Sequence, residues 1–501
     1  MKTVPDLCRR RAELSPDAVA FETVGSGETL NFAAMESAVG RAVGALADLG
    51  LVEGDRLAVL CHNDPAFFVL LFAAARARLV FVPLNWRLTP AELVPILDDC
   101  SPKLLICDAA HAELAESLSG RVAVLTFDRF HARCAVAPVS DARPASWDTE
   151  RPWYLLYTSG TTGKPKAVIQ TAGMALANAV NIQQATGMGA ADVTLNFLPL
   201  FHTAGINLHA LPLFIAGGRS LVIPKFDADA VMTLLTGTRI SLFFGVPAVY
   251  QALSLHPAFA NADLGAVRHW GCGGAPIAEP LLRAFLARGA TVCNGMGMTE
   301  TGPSVFLMDP REAAAKIGSV GRPQILAEVR LVDLEGRDVT AGEAGELLFR
   351  GPGITPGYWN NPDATARAFA PGGWLRSGDI GRMDADGCYF VVDRIKDMFI
   401  SGGENVYPAE VEAALPAHPA VLDVAVLGVP DARWGEAGHA LVVLRPGADA
   451  DPDSLRIHAR ERLAGYKVPR DITIVTDFPR TAAGKIQKHV LRELLARGRG
   501  D

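Results

Sequence analysis

The chain has 501 residues, half of them hydrophobic and a fifth charged. That is ordinary globular composition, with length for roughly three domain-sized units, and it excludes a disordered chain, a collagen-like repeat and a small disulfide scaffold. Against 47 basic side chains stand 54 acidic ones, a net charge of −7, so sequence-independent nucleic-acid binding, which feeds on positive charge, is not expected. The eight cysteines form no CxxC pair, and reduced thiols are the expectation. The first sixteen residues carry three arginines but no apolar stretch, unlike a signal peptide. The longest apolar run, 66–75, ends at Arg76, too short to span a bilayer. A cytoplasmic protein without a membrane span is expected.

From about residue 50, short apolar runs alternate with helix-length stretches. A strand is predicted over 56–60, a buried helix over 65–77 behind Asn63-Asp64-Pro65, and a strand over 79–84. Thr89-Pro90-Ala91-Glu92 offers an N-cap, a proline at the first helical position and a glutamate at the third. Further strands are predicted over 103–107, 122–127, 153–158, 167–170, 194–199, 219–223, 240–244 and 266–271. Continuous apolar strands separated by helices point to parallel sheets covered on both faces, and there are too many for one small sheet. The fold class is therefore α/β, with a large N-terminal domain of two doubly wound α/β sheets. After about residue 325, strands over 327–333, 345–350 and 388–392 joined by Gly/Pro-rich turns suggest a small β subdomain. From 397 a separate α+β unit reads as helix 408–415, strands 421–426 and 440–444, helix 453–463 and a lysine-bearing tail. The expected boundaries are 1–396, with the β subdomain at about 325–392, and 397–501.

The most informative segment is Tyr157-Thr-Ser-Gly-Thr-Thr-Gly-Lys-Pro-Lys166. Its glycines, hydroxyls and lysines can turn donors toward phosphate oxygens. It is not a Walker A loop, because two residues separate Gly160 from Gly163 and Pro165 follows Lys164. Composition alone leaves a solvated turn open. Six more segments follow in order: Phe201-His-Thr-Ala-Gly205, Gly273-Gly-Ala-Pro276, Gly295-Met-Gly-Met-Thr-Glu-Thr301, Trp374-Leu-Arg-Ser-Gly-Asp379, Asp393-Arg-Ile-Lys-Asp397 and Pro479-Arg-Thr-Ala-Ala-Gly-Lys485. Taken singly, Glu300 reads as a solvated carboxylate, Asp379 as a turn residue, Arg394 as a surface ion pair with Asp393 or Asp397, and Lys485 as a solvated charge in a basic tail.

Together the seven segments resemble the signatures of the adenylate-forming (AMP-binding) enzymes: acyl- and aryl-CoA synthetases, luciferases and peptide-synthetase adenylation domains. The resemblance spans nearly the whole chain and implies ATP, Mg²⁺ and coenzyme A as co-substrates and a small carboxylic acid as partner; a homodimer is left open. In such a site an anionic carboxylate meets an anionic phosphate, so positive charge and oriented donors are needed where charge builds up. The resemblance implies that Thr158, Ser159, Gly160, Thr161, Thr162, Gly163, Lys164 and Lys166 hold the β- and γ-phosphates. It assigns Mg²⁺ to Glu300 and Thr158, the ribose to Asp379, the ribose or phosphate to Arg394, and the nucleotide further to Gly274, Ala275, Asn294, Gly295, Met296, Gly297 and Thr299. Lys485 would reach the carboxylate and α-phosphate from a mobile C-terminal lid pivoting at Asp397. Many relatives carry an aromatic residue at the position of Met296, where methionine keeps a polarisable apolar face.

The acyl pocket is implied around His202, Phe244, Val246, Gly271, Gly273, Gly274 and Met298. His202 would gate the acyl and CoA channels, and the glycines would leave room for a flat acyl group. The leading expectation is a CoA ligase similar to feruloyl- and hydroxycinnamoyl-CoA synthetases. A medium-chain fatty acyl-CoA synthetase and an adenylation enzyme loading a carrier protein are the alternatives.

Overall fold

The computed structural model describes residues 2–137, 146–159, 165–237, 239–333, 335–402, 404–431, 433–481 and 484–498, without the side chains of 159, 405 and 498. Two large sheets lie at its centre. The first has six strands in the order Pro165–Thr171, Pro152–Ser159, Val80–Pro83, Arg56–Leu60, Leu104–Cys107 and Ala123–Thr126. All but the first are mutually parallel. Pro165–Thr171 turns back antiparallel on Pro152–Ser159, bringing Lys166 opposite Thr158. This hairpin departs from the all-parallel expectation; its connection, 160–164, lies outside the described residues.

The second sheet has nine strands. Its parallel centre runs Val292–Met296, His269–Cys272, Leu242–Gly245, Val193–Asn196, Arg219–Val222 and Val19–Thr23, and antiparallel strands close both edges. The edge partner Val19–Thr23 comes from the first 50 residues, where no strand is predicted. Helix Pro65–Arg76 is buried along most of its length, and its Phe67, Phe68 and Phe72 join Phe21, Phe81 and Phe214 in one core shared by both sheets. Proline at N1 and the Asp64 cap start it. Arg76 ends it, its buried guanidinium held by Asp6 at 2.7 Å and Glu36 at 2.5 Å. The Thr89–Glu92 capping box is present at the start of Pro90–Cys100.

The β subdomain is an antiparallel sheet of Glu328–Val332, Ala344–Arg350, Trp374–Met383, Phe369–Ala370 and Tyr389–Arg394. Its long strand Trp374–Met383 carries Asp379, which is therefore a strand residue rather than a turn residue. The C-terminal sheet is built on a long hairpin, Val421–Asp431 with Gly435–Leu444, five residues longer on each strand than the apolar runs alone predict. Gly428 permits this, because a Cβ there would stand 2.4 Å from the Phe399 side chain. The lysine-bearing tail is a helix, Lys488–Gly498, with Leu491 buried against Ala425, Leu427 and Phe478. All eight cysteines are free, and no helix among the described residues is long and apolar enough to cross a membrane.

Candidate active site

Glu300 sits on the turn Thr299–Thr301 after strand Val292–Met296, with 8% of its surface exposed. Tyr358 donates its hydroxyl to Glu300 Oε1 at 2.9 Å. Burial and the neighbouring Glu300 charge raise the Tyr358 pKa, so the phenol stays a neutral donor. Three more bonds knit the surroundings: Thr355 N–H to Glu300 O at 2.8 Å, Gln170 Nε2 to Thr299 O at 2.9 Å and Thr355 Oγ1 to Ile169 O at 2.7 Å. Lys166 Nζ lies 5.4 Å over the Tyr358 ring. Strand Pro165–Thr171 thus delivers Lys166, and Thr158 opposite it, to the same corner as Glu300. Gly160, Thr161, Thr162, Gly163, Lys164 and the side chain of Ser159 lie outside the described residues.

Asp379 and Arg394 face each other across strands Trp374–Met383 and Tyr389–Arg394, with Arg394 Nε 3.4 Å from Asp379 Oδ1. The ion pair of Arg394 is made with Asp379, not with its sequence neighbours Asp393 and Asp397. Burial pushes the Asp379 carboxyl up, against the pull of Arg394 and Lys485.

Lys485 is half-buried, with its side chain turned toward Gly274 rather than free in solvent. Its loop is held by Thr481 N–H to Lys485 O at 2.7 Å and Lys485 N–H to Thr481 Oγ1 at 3.1 Å. Gly484, at φ +79°, is the close approach, where a Cβ would meet Val246 and Ala248 at 3.4 and 3.5 Å. Across the gap Gly274, at φ +88°, stands with Lys485 Cε 4.0 Å from the position of a Cβ. Burial, with Arg394 and Lys396 adding to it, pushes the Lys485 ammonium down to about 8, while Asp379 and Glu300 oppose the shift. Burial and the Lys485 charge push His202 down to about 4, so its ring is neutral. Its Nδ1 accepts from Ala204 N–H at 3.3 Å, which leaves the proton on Nε2. Glu300, Asp379, Arg394, His202, Gly274 and Lys485 therefore meet in one polar cleft between the second sheet, the β subdomain and the C-terminal unit.

Residues 8–359 match the family described as AMP-binding enzyme, and residues 410–485 match the AMP-binding enzyme C-terminal domain. The chain belongs to the AMP-binding enzymes, in their acyl- and aryl-CoA synthetase branch. The AMP-binding chain is similar to feruloyl-CoA synthase of Amycolatopsis sp, 41% identical over 96% of this chain and 97% of the relative. Indoleacetate–CoA ligase of Aromatoleum aromaticum is 36% identical, with 97% of each covered. Among solved structures, an anthranilate CoA ligase in complex with anthranoyl-AMP aligns with a TM-score of 0.93 at 27% identity, covering 99% of both chains. The branch uses ATP, Mg²⁺ and CoA. The donor set fits them: a buried carboxylate at Glu300, a carboxylate–guanidinium pair at Asp379 and Arg394, and an inward cation at Lys485.

The acyl side differs from the expectation. A Cβ on Gly271 would stand 2.6 Å from Phe244 Cδ2, and one on Gly273 would stand 3.2 Å from Phe244 Cζ. Gly271 makes room for the Phe244 ring, and Gly273 first of all for the Gly295 carbonyl, whose oxygen would stand 3.0 Å from its Cβ. A Cβ on Gly297 would fall 1.9 Å from Pro303 O, so that glycine is fixed by packing. Met296 and Met298 lie against the β-subdomain core. Asn294 O accepts from Met308 N–H at 2.8 Å, a bond of the strand edge. Val246 leads helix Pro247–Ser254 and faces Gly274 and Gly484.

Beside Phe244 lies a small recess of about 10 Å³, lined by Thr194, Asn196, Ala204, Leu208, His209 and Phe244. That is room for about one water molecule, far below the roughly 300–1,000 Å³ of ligand pockets, so an acyl group enters it only if the lining opens. Of the expected pocket residues only Phe244 lines it. His209 is buried, and burial pushes its ring down to about 3. Thr194 Oγ1 donates to Leu242 O at 3.1 Å and so accepts from His209 Nδ1 at 3.0 Å. The proton then sits on Nδ1, and Nε2 keeps a lone pair that no hydrogen bond reaches among the described residues. Tyr358, Thr194 and His209 are absent from the sequence motifs; the one signal is a second histidine seven residues after His202.

Around the expected pivot, Asp393 accepts from Arg394 N–H at 2.6 Å and from Ala409 N–H at 2.7 Å, at the start of helix Pro408–Ala414. Asp397 bonds Arg492 Nη2 at 2.7 Å. Burial pushes the Asp397 carboxyl up, but Arg492 and Lys488 outweigh it and hold it below its ordinary value.

Proposed function

We propose that this chain joins a hydroxycinnamate-type aromatic acid to coenzyme A in two half-reactions at the cleft around Lys485. The acid's carboxylate attacks the α-phosphorus of ATP and pyrophosphate leaves; the CoA sulfur then attacks the acyl carbonyl and AMP leaves. The observation that carries the reading is the inward Lys485, set among Glu300, Asp379, Arg394 and His202. Lys485 neutralises charge between carboxylate and α-phosphate, Asp379 accepts from the ribose hydroxyls, and Arg394 orients Asp379. Glu300, positioned by Tyr358, and Thr158 hold Mg²⁺, which when bound offsets the negative charge of the phosphates. Thr158–Lys166 cradles the β- and γ-phosphates. Neutral His202 presents Nε2–H near Lys485, and the segment at Asp397 is the pivot of a mobile unit beginning there.

Two features support an aromatic hydroxy acid. The relative at 41% identity is feruloyl-CoA synthase, and His209 Nε2, beside Phe244 and without a hydrogen bond among the described residues, is an acceptor that a substrate donor reaches once the lining of the recess opens. A site that hydrogen-bonds a substrate hydroxyl discriminates strongly against analogues lacking it. The test is kcat/KM for pyrophosphate release with CoA across ferulate, cinnamate, benzoate and octanoate. Ferulate should lead, and His209→Leu should narrow the ferulate-to-cinnamate ratio by about tenfold or more. Octanoate leading would replace the substrate class.

A further inference from the structure

Away from the cleft, one cluster has the make-up of a metal site. His62, Asp108 and His111 each offer one ligand atom, and these atoms lie within 4.8 Å of one another. The first sheet brings them together. Strands Arg56–Leu60 and Leu104–Cys107 are parallel neighbours, and His62 and Asp108 emerge just beyond their carboxyl ends, where open α/β sheets bind ligands. His111 closes the single turn that Asp108 caps.

The carboxylate is fixed before any ion arrives. Asp108 Oδ2 accepts His62 N–H at 2.8 Å, and Oδ1 accepts His111 N–H at 3.0 Å. The same oxygens face the two imidazoles: His111 Nδ1 is 2.6 Å from Oδ1 and His62 Nδ1 is 3.7 Å from Oδ2. The two rings meet edge-on with centroids 4.6 Å apart, and Trp86 packs on them at 4.6 and 5.6 Å. His111 is buried while His62 and Asp108 are partly exposed, which leaves an entry side.

We propose that His62, Asp108 and His111 form a binding site for a divalent transition-metal ion, with Zn²⁺ as the best fit. Two imidazoles and a carboxylate suit a borderline ion, whereas Mg²⁺ and Ca²⁺ prefer all-oxygen sets. Ligands about 2.0–2.1 Å from a tetrahedral ion stand roughly 3.4 Å apart, and the three ligand atoms here lie within 4.8 Å of one another, so small side-chain rotations close the set on an ion. Water takes the fourth position. The neighbouring Asn63 bonds Asn196 Oδ1 at 2.7 Å and Leu198 O at 2.9 Å across to the second sheet. An ion at His62 therefore pins the seam between the sheets, a structural role apart from the Mg²⁺ of the cleft. The competing account makes Asp108 a turn cap that hydrogen-bonds one imidazole and nothing more.

The full-length, untagged protein, stripped with chelator, is titrated with CoCl₂ in nucleotide-free buffer containing excess MgCl₂. Visible d–d absorption is followed, and ZnCl₂ calorimetry and thermal melts run alongside. One equivalent of Co²⁺ should bind with the strong absorption of a four-coordinate centre, and Zn²⁺ should raise Tm. His62→Gln and His111→Gln should each weaken binding at least about tenfold, while Glu300→Gln binds like the parent. Unchanged Mg²⁺-dependent pyrophosphate release would show that the two histidine variants are folded. No saturable binding by the parent, or equal binding by both histidine variants, overturns the proposal.

Discussion

Removing the Lys485 ammonium should separate the two half-reactions. Lys485 lies beside Gly274, under the influence of Asp379, Glu300 and Arg394, and is pushed down to about 8. A lysine pushed down loses its proton as pH rises, so the charged form is complete below that value and disappears above it. By that value about 90% is charged at pH 7 and about 9% at pH 9. The kcat/KM of wild type for adenylation, which reports the free enzyme, should therefore fall about tenfold between pH 7 and pH 9, with its alkaline midpoint near 8. Lys485→Ala removes one contact to charge that builds up in the transition state, a loss on the order of 10²–10³ in rate, and abolishes that alkaline limb. Lys485→Arg, charged throughout, should keep a low but pH-flat rate across the same range. The assay is pyrophosphate release with acid and ATP alone, beside thioester formation from supplied acyl-adenylate and CoA. The second reaction should be nearly untouched by Lys485→Ala. Equal loss in both, or an alkaline limb that survives in Lys485→Ala, would refute the role given to this lysine.

Asp397→Pro removes the N–H that bonds Arg394 O at 3.0 Å and fixes φ at the pivot. It should form adenylate but slow transfer to CoA by at least about tenfold, on the scale of mutants that disturb a conformational step, whereas Asp397→Ala should transfer normally; quench-flow of each half-reaction decides. Tyr358→Phe deletes the hydroxyl on Glu300, so the Mg²⁺ concentration for half-maximal adenylation should rise roughly tenfold, and an unchanged Mg²⁺ curve would remove Tyr358 from the site. Arg76→Ala leaves Asp6 and Glu36 without their buried partner and should destabilise the fold by about 3–5 kcal/mol in urea unfolding; a change below about 1 kcal/mol would mean the pair is solvated.

What the sequence made legible depended on whether physics was local. The helix Pro65–Arg76 was readable because its cap, its N1 proline and its apolar run are contiguous. Lys485, Glu300 and Asp379 were readable only as members of ordered motifs; nothing in the neighbourhood of Lys485 says that it turns inward. The strand carrying Asp379 is not legible in the sequence because Arg-Ser-Gly-Asp reads as a turn, yet its partners at Ala344–Arg350 and Tyr389–Arg394 hold it extended. Gly271 shows the opposite error. A glycine in a strand looks like room for a ligand, and only the Phe244 ring beside it reveals that the room is taken. Tyr358 and His209 bond to partners 58 and 15 residues away, so no motif marks Tyr358 and only its spacing from His202 hints at His209.

The most direct test of the account is mass spectrometry of single turnovers. The purified chain is mixed with ferulate, ATP and Mg²⁺, quenched, and then chased with CoA. Feruloyl-AMP should accumulate on the enzyme without CoA and convert to feruloyl-CoA and AMP on the chase. Feruloyl-CoA formed with no adenylate preceding it, or release of ADP and phosphate in place of AMP and pyrophosphate, would contradict the account.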